Sequence, residues 1–437
     1  MKKGLALFLA LVLTLASATC TALAEEKAIE INWMVENISE GERAALNEYM
    51  IAPFHKEFPN IHINMLPTPD SVNVLKTQMA AGEGPVLFNL DGPTDVAELQ
   101  KSGRVRDLTE YYTQYGWNDI IADWAKQTCK FDEKYYAIPK DVEAMWLWYN
   151  PTEFKENGWT VPTNYAELNA TCASIAQAGL IPMAFGNGDI TYSIDHWLSA
   201  VYNLYSGVTD LKAALRGEKK WTDDTLKGAI TTLNELWQAG YINEKQTFSI
   251  SGDDARTLFY TGAAAMKMEG SWLYPMLLSN AEVEFDIALF PKLRDDVEYA
   301  LPMGLGGVWA MNANASKEEA DAAAAFLNFA LTRTDLHVAS IENAGLLPMP
   351  IDLPVEAFSK DADPRLITMI SMLNDAQANL ENSGIVMWTF FPPELRTWQT
   401  SNMDKVFLGQ MTVDEFCEGS QEVFDKCLAD GTIPPLP

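Results

Sequence analysis

At 437 residues, with 48% hydrophobic residues, the chain is long enough for two or three domains, each burying its own core. Sixty acidic against 31 basic residues give a net charge of −29, which argues against nucleic acid, anionic ligands and anionic membrane surfaces as partners and serves solubility.

The basic start Met1-Lys2-Lys3 precedes an apolar run, Leu5 to Leu15, that is too short to span a bilayer and reads as a secretory leader. Ala22-Leu23-Ala24 before Glu25 has the small-x-small form of a cleavage site, so residues 1–24 are expected to be removed on export to the periplasm or cell surface. Cys20 is the competing, lipidated position, but Ser17-Ala18-Thr19 makes a poor lipobox, which calls for Leu three residues before the cysteine. Cys129, Cys172, Cys417 and Cys427 then remain, without C-x-x-C spacing. Cys417 and Cys427 share one predicted helix, where a rise of about 1.5 Å per residue holds them roughly 15 Å apart and unbridged; a Cys129–Cys172 pair stays open.

Ile29, Ile31, Trp33 and Val35 alternate as in a strand. Ser39 with Glu42 forms a capping box for a helix carrying Ala45, Leu46 and Tyr49. A strand over 61–66, a helix around 72–80 and a strand over 86–90 complete a β-α-β-α-β start, which predicts a parallel sheet flanked by helices. Ligands of such sheets bind beyond the carboxyl ends of the strands, here Glu36-Asn37 and Asn89-Leu90-Asp91-Gly92. Asp132-Glu133-Lys134 is read as a turn, Ile138-Pro139 as a strand end, and Met145 to Tyr149 as an apolar strand entering a second lobe. That lobe is expected to hold helices over 165–179, 222–240 and 253–262 and a strand over 181–185, each helix stopping at glycine. Strands over 285–290 and 304–311, a helix capped by Ser316 with Glu319, and a last helix capped by Thr412 with Glu415 follow.

Five stretches, in order, resemble family 1 of the extracellular solute-binding proteins, the group that includes maltose-binding protein. They are Phe54 to Ile61; Met79 to Phe88, although Val86 stands where an aspartate is usual; Tyr136-Ala137-Ile138-Pro139 with Tyr149-Asn150; Phe259 to Met266 with Gly270-Ser271-Trp272; and the helix from Ser316 to Leu331. The resemblance implies an α/β, two-lobed periplasmic-binding-protein-like fold, each lobe a mostly parallel sheet flanked by helices, with the ligand cleft between them. It places the N-terminal lobe at 25–141 plus 307–347 and the C-terminal lobe at 146–304 plus 350–437, joined by hinges near Pro139 to Met145, Leu305 to Val308 and Leu347 to Pro350. It also implies a sugar ligand, delivery to the permease subunits of an ABC importer, a monomer, and no catalysis, cofactor or metal.

A pyranose offers an apolar C–H face and a rim of hydroxyls, so its cleft needs flat aromatic surfaces and edge-on carboxylates and amides. By the family match, Trp272 is expected to stack on the sugar and Glu143 to contact it. Asp91 and Asn89, Glu36, Asn37 and Asp141, and Asp189 with Tyr192 are the other polar candidates. Trp388 fits cleft wall and core equally; Trp309 leans to core, though Gly306-Gly307 before it can bring backbone to the ligand. Trp33, Trp148 and Trp237 read as core.

A secreted glycoside hydrolase is the rival from another class, but it needs two carboxylates flanking a bond, a pattern that 60 acidic residues make uninformative. His55, His62, His196 and His337 form no H-E-x-x-H, and G-x-S-x-G and the P-loop are missing. The same fold binding a polyamine, a metal complex or a peptide is the third reading.

Overall fold

The computed structural model describes residues 28–36, 38–188, 192–242, 246–381 and 383–436, and the side chain of Tyr192 lies outside that set. The expected leader, Asn37 and Asp189 also fall outside it.

Strand β1 (Ile29–Val35) buries Ile31, Trp33 and Val35 on one face, as period-two alternation requires. The next helix, Glu40–Leu46, starts where the Ser39 hydroxyl accepts from the Glu42 backbone N–H, and it continues through a π-helical stretch, Asn47–Ile51, into Ala52–Glu57. Strand β2 (Ile61–Pro67) and, after the helix Ser71–Ala80, β3 (Leu87–Leu90) both pair parallel to β1, one on each side. This is the β-α-β-α-β start expected from the pattern. The short strands β4 (Lys130–Phe131) and β5 (Lys134–Tyr135) form a hairpin whose turn residues Asp132 and Glu133 have φ of 48° and 65°. Two left-handed residues are what a two-residue hairpin turn demands.

The architecture turns on the next strand, β6 (Ile138–Tyr149). With β7 (Ile181–Met183), β8 (Ala264–Gly270), β9 (Asp286–Ala288) and β10 (Met303–Met311) the sheet order is β2-β1-β3-β10-β6-β8-β7, with β9 also on β6. Residues 138–144 of β6 pair with β10, and residues 145–149 pair with β8 and β9. One continuous strand therefore serves both halves, where the sequence suggested separate segments. The fold is two-lobed α/β. Its pairing is parallel in β2-β1-β3 and β7-β8 and antiparallel where β10, β6 and β8 meet, because the chain crosses on β6 and returns on β10 in the opposite sense.

Helices Lys317–Thr332 and Val413–Asp430 begin with reciprocal capping boxes at Ser316/Glu319 and Thr412/Glu415, as expected. The first packs Phe326 edge-on against Trp33 (5.5 Å) and Phe54 (5.1 Å), which ties it to the N-terminal sheet. All four described cysteines are free and buried, so no Cys129–Cys172 bridge forms; burial pushes both of those thiols up to about 12. Among the described residues no helix is long and apolar enough to cross a membrane, and no group of three or more His, Cys, Asp and Glu is placed to hold a metal ion.

Candidate ligand-binding cleft

A cavity of about 260 Å³ opens where the two halves of the sheet meet. Its floor comes from the carboxyl ends of β1 and β3 and from the crossing strands; its opposite wall carries Trp272 and Met276.

The floor is a chain of polar contacts. Trp33 Nε1 donates to Asn89 Oδ1 (2.8 Å), and Asn89 Nδ2 donates to Glu36 Oε2 (2.7 Å). Glu36 Oε1 is 3.0 Å from Lys140 Nζ, which lies 3.1 Å from Asp141 Oδ2. Lys140 reaches this row because the β6–β10 ladder is irregular here. Leu305 pairs with Val142, Gly307 with Asp141 and Val308 with Pro139, so Gly306 and Lys140 are each bulged out of register. Bulges re-aim side chains, and this pair lets Lys140, Asp141 and Glu143 all line one cavity. The glycines make the space. A Cβ on Gly306 would lie 2.1 Å from Glu143 Cδ, and one on Gly307 would lie 2.9 Å from Lys140 Cε.

The electrostatics follow from four carboxylates around one lysine. Burial pushes Glu36 up, but Lys140 and the hydrogen bonds from its own backbone and Asn89 outweigh it and hold the carboxyl below the usual range. Burial dominates at Asp141 and raises it against the pull of Lys140. Glu143 is raised well above the ordinary value by burial and then by the Asp141 charge. Glu42 is pushed to about 6 by burial, with Glu36 and Asp141 adding to it. One buried Asp141 oxygen, Oδ1, has no protein partner. The buried Trp309 Nε1 on the same lining is likewise without a partner, so the site offers a ligand one unpaired acceptor and one unpaired donor.

The opposite wall explains the Gly-Ser-Trp sequence. Trp272 caps the helix Leu273–Asn280 and is half-buried, and its Nε1 donates to Glu269 Oε1 (2.9 Å). Gly270 makes room for the indole, since a Cβ there would fall 2.0 Å from the ring. Ser271 is buried and fastens β8 to β6: its Oγ accepts from the Ala144 N–H (3.0 Å) and from Trp146 Nε1 (3.3 Å). Glu269 is itself clamped by Arg256 Nη2 (2.5 Å) and Lys267 Nζ (3.0 Å). Against the back of Trp272 lie His196 (ring centres 5.0 Å apart) and Trp388 (5.8 Å, edge-on). Burial pushes the His196 imidazole down to about 3, so this ring is neutral packing at ordinary pH.

The structure thus brings Glu36, Asn89, Asp141, Glu143, Trp272 and Trp309 to one cavity. Trp309 is both buried and a lining residue, and it pairs in register with Asn89 across β10 and β3. Two candidates are placed elsewhere. Asp91 is not on the cavity wall; its carboxyl is pushed to about 6 by burial and by Asp95 and Glu36, with Arg396 opposing. Trp388 is 6% exposed and supports Trp272 from behind, so it is core rather than cleft wall. Asn37 and Asp189 lie outside the described residues, and Tyr192 opens the helix Tyr192–Val201 with its side chain not described. Sequence reading missed Lys140 and the cavity face of Trp33, which it assigned to core alone. It also missed Lys267 and Glu269, whose spacing of two in a strand ending at Gly270 was a readable sign of a shared face.

Residues 49–361 match the family model described as bacterial extracellular solute-binding protein. Among curated relatives, the multiple sugar-binding protein of Streptococcus mutans is 26% identical over 65% of this chain and 67% of its own length. The maltotriose-binding protein of Pyrococcus abyssi is 23% identical over 67% of this chain and 60% of its own. The matches span about half to two thirds of the curated relatives' lengths. Among solved structures, a chitin oligosaccharide binding protein superposes with a TM-score of 0.78 at 21% identity, covering 92% of this chain and 99% of that one. Maltose-bound MalE3 of T. maritima gives 0.72 at 19%, covering 91% and 100%; likeness at these identities concerns the fold. With the model spanning most of the chain and the two-lobed cleft in place, the chain belongs to the bacterial extracellular solute-binding protein family.

Proposed function

We propose that this chain is the carbohydrate-capturing component of an ABC importer. The observation that carries the reading is a half-exposed indole, Trp272, facing a floor of carboxylates and an amide across one cavity. Flat carbon against the C–H face of a ring, with acceptors at its hydroxyl rim, is the arrangement sugars require. Relatives described as sugar-binding and maltotriose-binding support the same class. Lobes at 25–141 plus 307–347 and at 146–304 plus 350–437 close about Pro139 to Met145, Leu305 to Val308 and Leu347 to Pro350. Contacts to both halves supply the differential affinity that shifts the population to the closed form, which the permease then reads. The protein acts as a monomer, without catalysis, after cleavage behind Ala24 rather than lipidation at Cys20.

Thermal-shift screening against mono- and oligosaccharides tests this. A sugar at about 100 times its Kd adds roughly 2.7 kcal/mol, about 3 °C for a chain of this size. A panel without any shift sinks the reading, and shortened oligosaccharides after incubation would favour the hydrolase. The four cavity carboxylates, set against Lys140 and Arg333, support a cationic cargo as second reading, so spermidine belongs in the panel.

The Gly306→Ala variant should weaken sugar binding by about 2- to 10-fold, because the new methyl drives Glu143 from its position and a hydrogen bond from a carboxyl that burial pushes toward its neutral form contributes about 0.5–1.5 kcal/mol. Calorimetric affinities of the two proteins check this; equal values would remove Glu143 from the contact set.

A further inference from the structure

Part of the cavity lining is apolar and takes no part in the polar floor. It comprises Leu46 and Met50, Leu336, Leu346 and Leu347, and, on the wall that carries Trp272, Met276. All six are half-buried, in a chain whose surface is otherwise strongly acidic. Their placement is built into the fold. Leu46 and Met50 are four apart, flanking the point where the first helix widens into its π-helical stretch Asn47–Ile51. Gly345, at φ 67°, ends the helix Thr334–Ala344 and turns Leu346 and Leu347 into the cavity wall. Met276 lies one turn beyond Trp272, so the aromatic wall continues as a flexible thioether.

These six side chains offer no strong donor or acceptor, and the polar groups that share their part of the lining are engaged elsewhere: Arg333 with Glu57 and Asp335, His337 Nε2 by the Met349 N–H, the Ser340 hydroxyl by the His337 carbonyl, and Tyr49 by Glu48 and Asn343. A second sugar ring placed against them would bury hydroxyls without partners, which costs free energy, whereas an alkyl or aryl group would gain by leaving water. Resting on the carbohydrate reading above, we propose that the captured solute is a glycoside with an apolar aglycone. Its ring lies between Trp272 and the carboxylate floor, and its aryl or short alkyl group fills the annex lined by Leu46, Met50, Met276, Leu336, Leu346 and Leu347.

The test uses the mature chain and the neutral dye N-phenyl-1-naphthylamine, which contains no sugar. Saturable fluorescence enhancement is expected with the unmodified protein, with affinity at least 10-fold lower in Leu46→Gln/Leu347→Gln. The single variant Met276→Gln, on the opposite wall, should also weaken it and guards against a folding defect in the first. Methyl, butyl and hexyl β-glucosides should then displace the dye with potency rising about fourfold per methylene. Dye binding that the variants leave unchanged, no saturable binding, or a flat glucoside series overturns the annex. The two failures are separable: a panel sugar that binds while the dye does not overturns the annex alone. Dye binding with no sugar bound by any assay overturns the carbohydrate reading, and the glycoside with it.

Discussion

The Trp272→Ala variant should bind its sugar about 30- to 100-fold more weakly than the unmodified protein while retaining its fold. A stacked aromatic surface in a partly desolvated cleft typically contributes about 2–3 kcal/mol, and each 1.4 kcal/mol is tenfold in affinity. The fold should tolerate the change because Trp272 is half-exposed and belongs to the cleft wall; what it loses internally are ring contacts to His196 and Trp388 and one hydrogen bond to Glu269. Trp272→Phe separates two contributions. Phenylalanine keeps a flat face but cannot donate to Glu269, so its ring is no longer held in place and an intermediate affinity is expected. Calorimetric titration with the sugar selected by the thermal-shift panel measures all three proteins, and far-ultraviolet circular dichroism checks the fold. Alanine binding as tightly as tryptophan would remove the indole from the site.

The parts of this molecule that were legible in the sequence are those set by local chemistry. Alternation in Ile29 to Val35, the hydroxyl-to-glutamate spacing at Ser316 and Thr412, and the helix-ending glycines Gly179, Gly240 and Gly262 each act within a few residues, and a linear reading captures them. Family resemblance added Trp272 and Glu143. What escaped depends on register. Lys140 joins the floor only because Gly306 and Lys140 are both out of step in the β6–β10 ladder, and pairing between residues more than 160 positions apart leaves no local mark. Asp91 shows the converse failure: a carboxylate at the end of a central strand satisfied the topological rule, yet the cavity wall passes through its neighbour Asn89. Trp388 was undecidable for a related reason. Its segment, Met387–Phe390, packs behind the cleft on the helix Tyr192–Val201, and which face of so short a helix looks inward is set by that packing.

Replacing Glu269 with glutamine should destabilise the protein by about 3–5 kcal/mol, a fall of roughly 4–6 °C in melting temperature for a chain of this length. Glu269 and Lys267 are 2% and 5% exposed, and Arg256 adds a second cation at 2.5 Å, so the carboxylate is the anion that both share. Glutamine preserves shape and can still accept from Trp272 Nε1, but it leaves Lys267 charged, buried and unmatched. Arg256 retains Asp253 at 2.6 Å. It follows that Lys267→Met should restore most of the lost stability when combined with Glu269→Gln, since it removes the stranded charge rather than replacing the anion. The pH dependence has a definite sign. Burial alone would raise Glu269, but Arg256 and Lys267 hold its carboxyl far below the ordinary value of 4.5. A depressed carboxylate contributes fully above that value and progressively less as pH falls below it. The gap in melting temperature between the unmodified protein and Glu269→Gln should therefore be constant from pH 7 to about pH 5 and narrow toward pH 3. Scanning calorimetry across that range measures it. A gap that does not narrow, or a double variant no more stable than Glu269→Gln alone, would mean that the shape of this side chain, and not its charge, keeps the tryptophan wall in place.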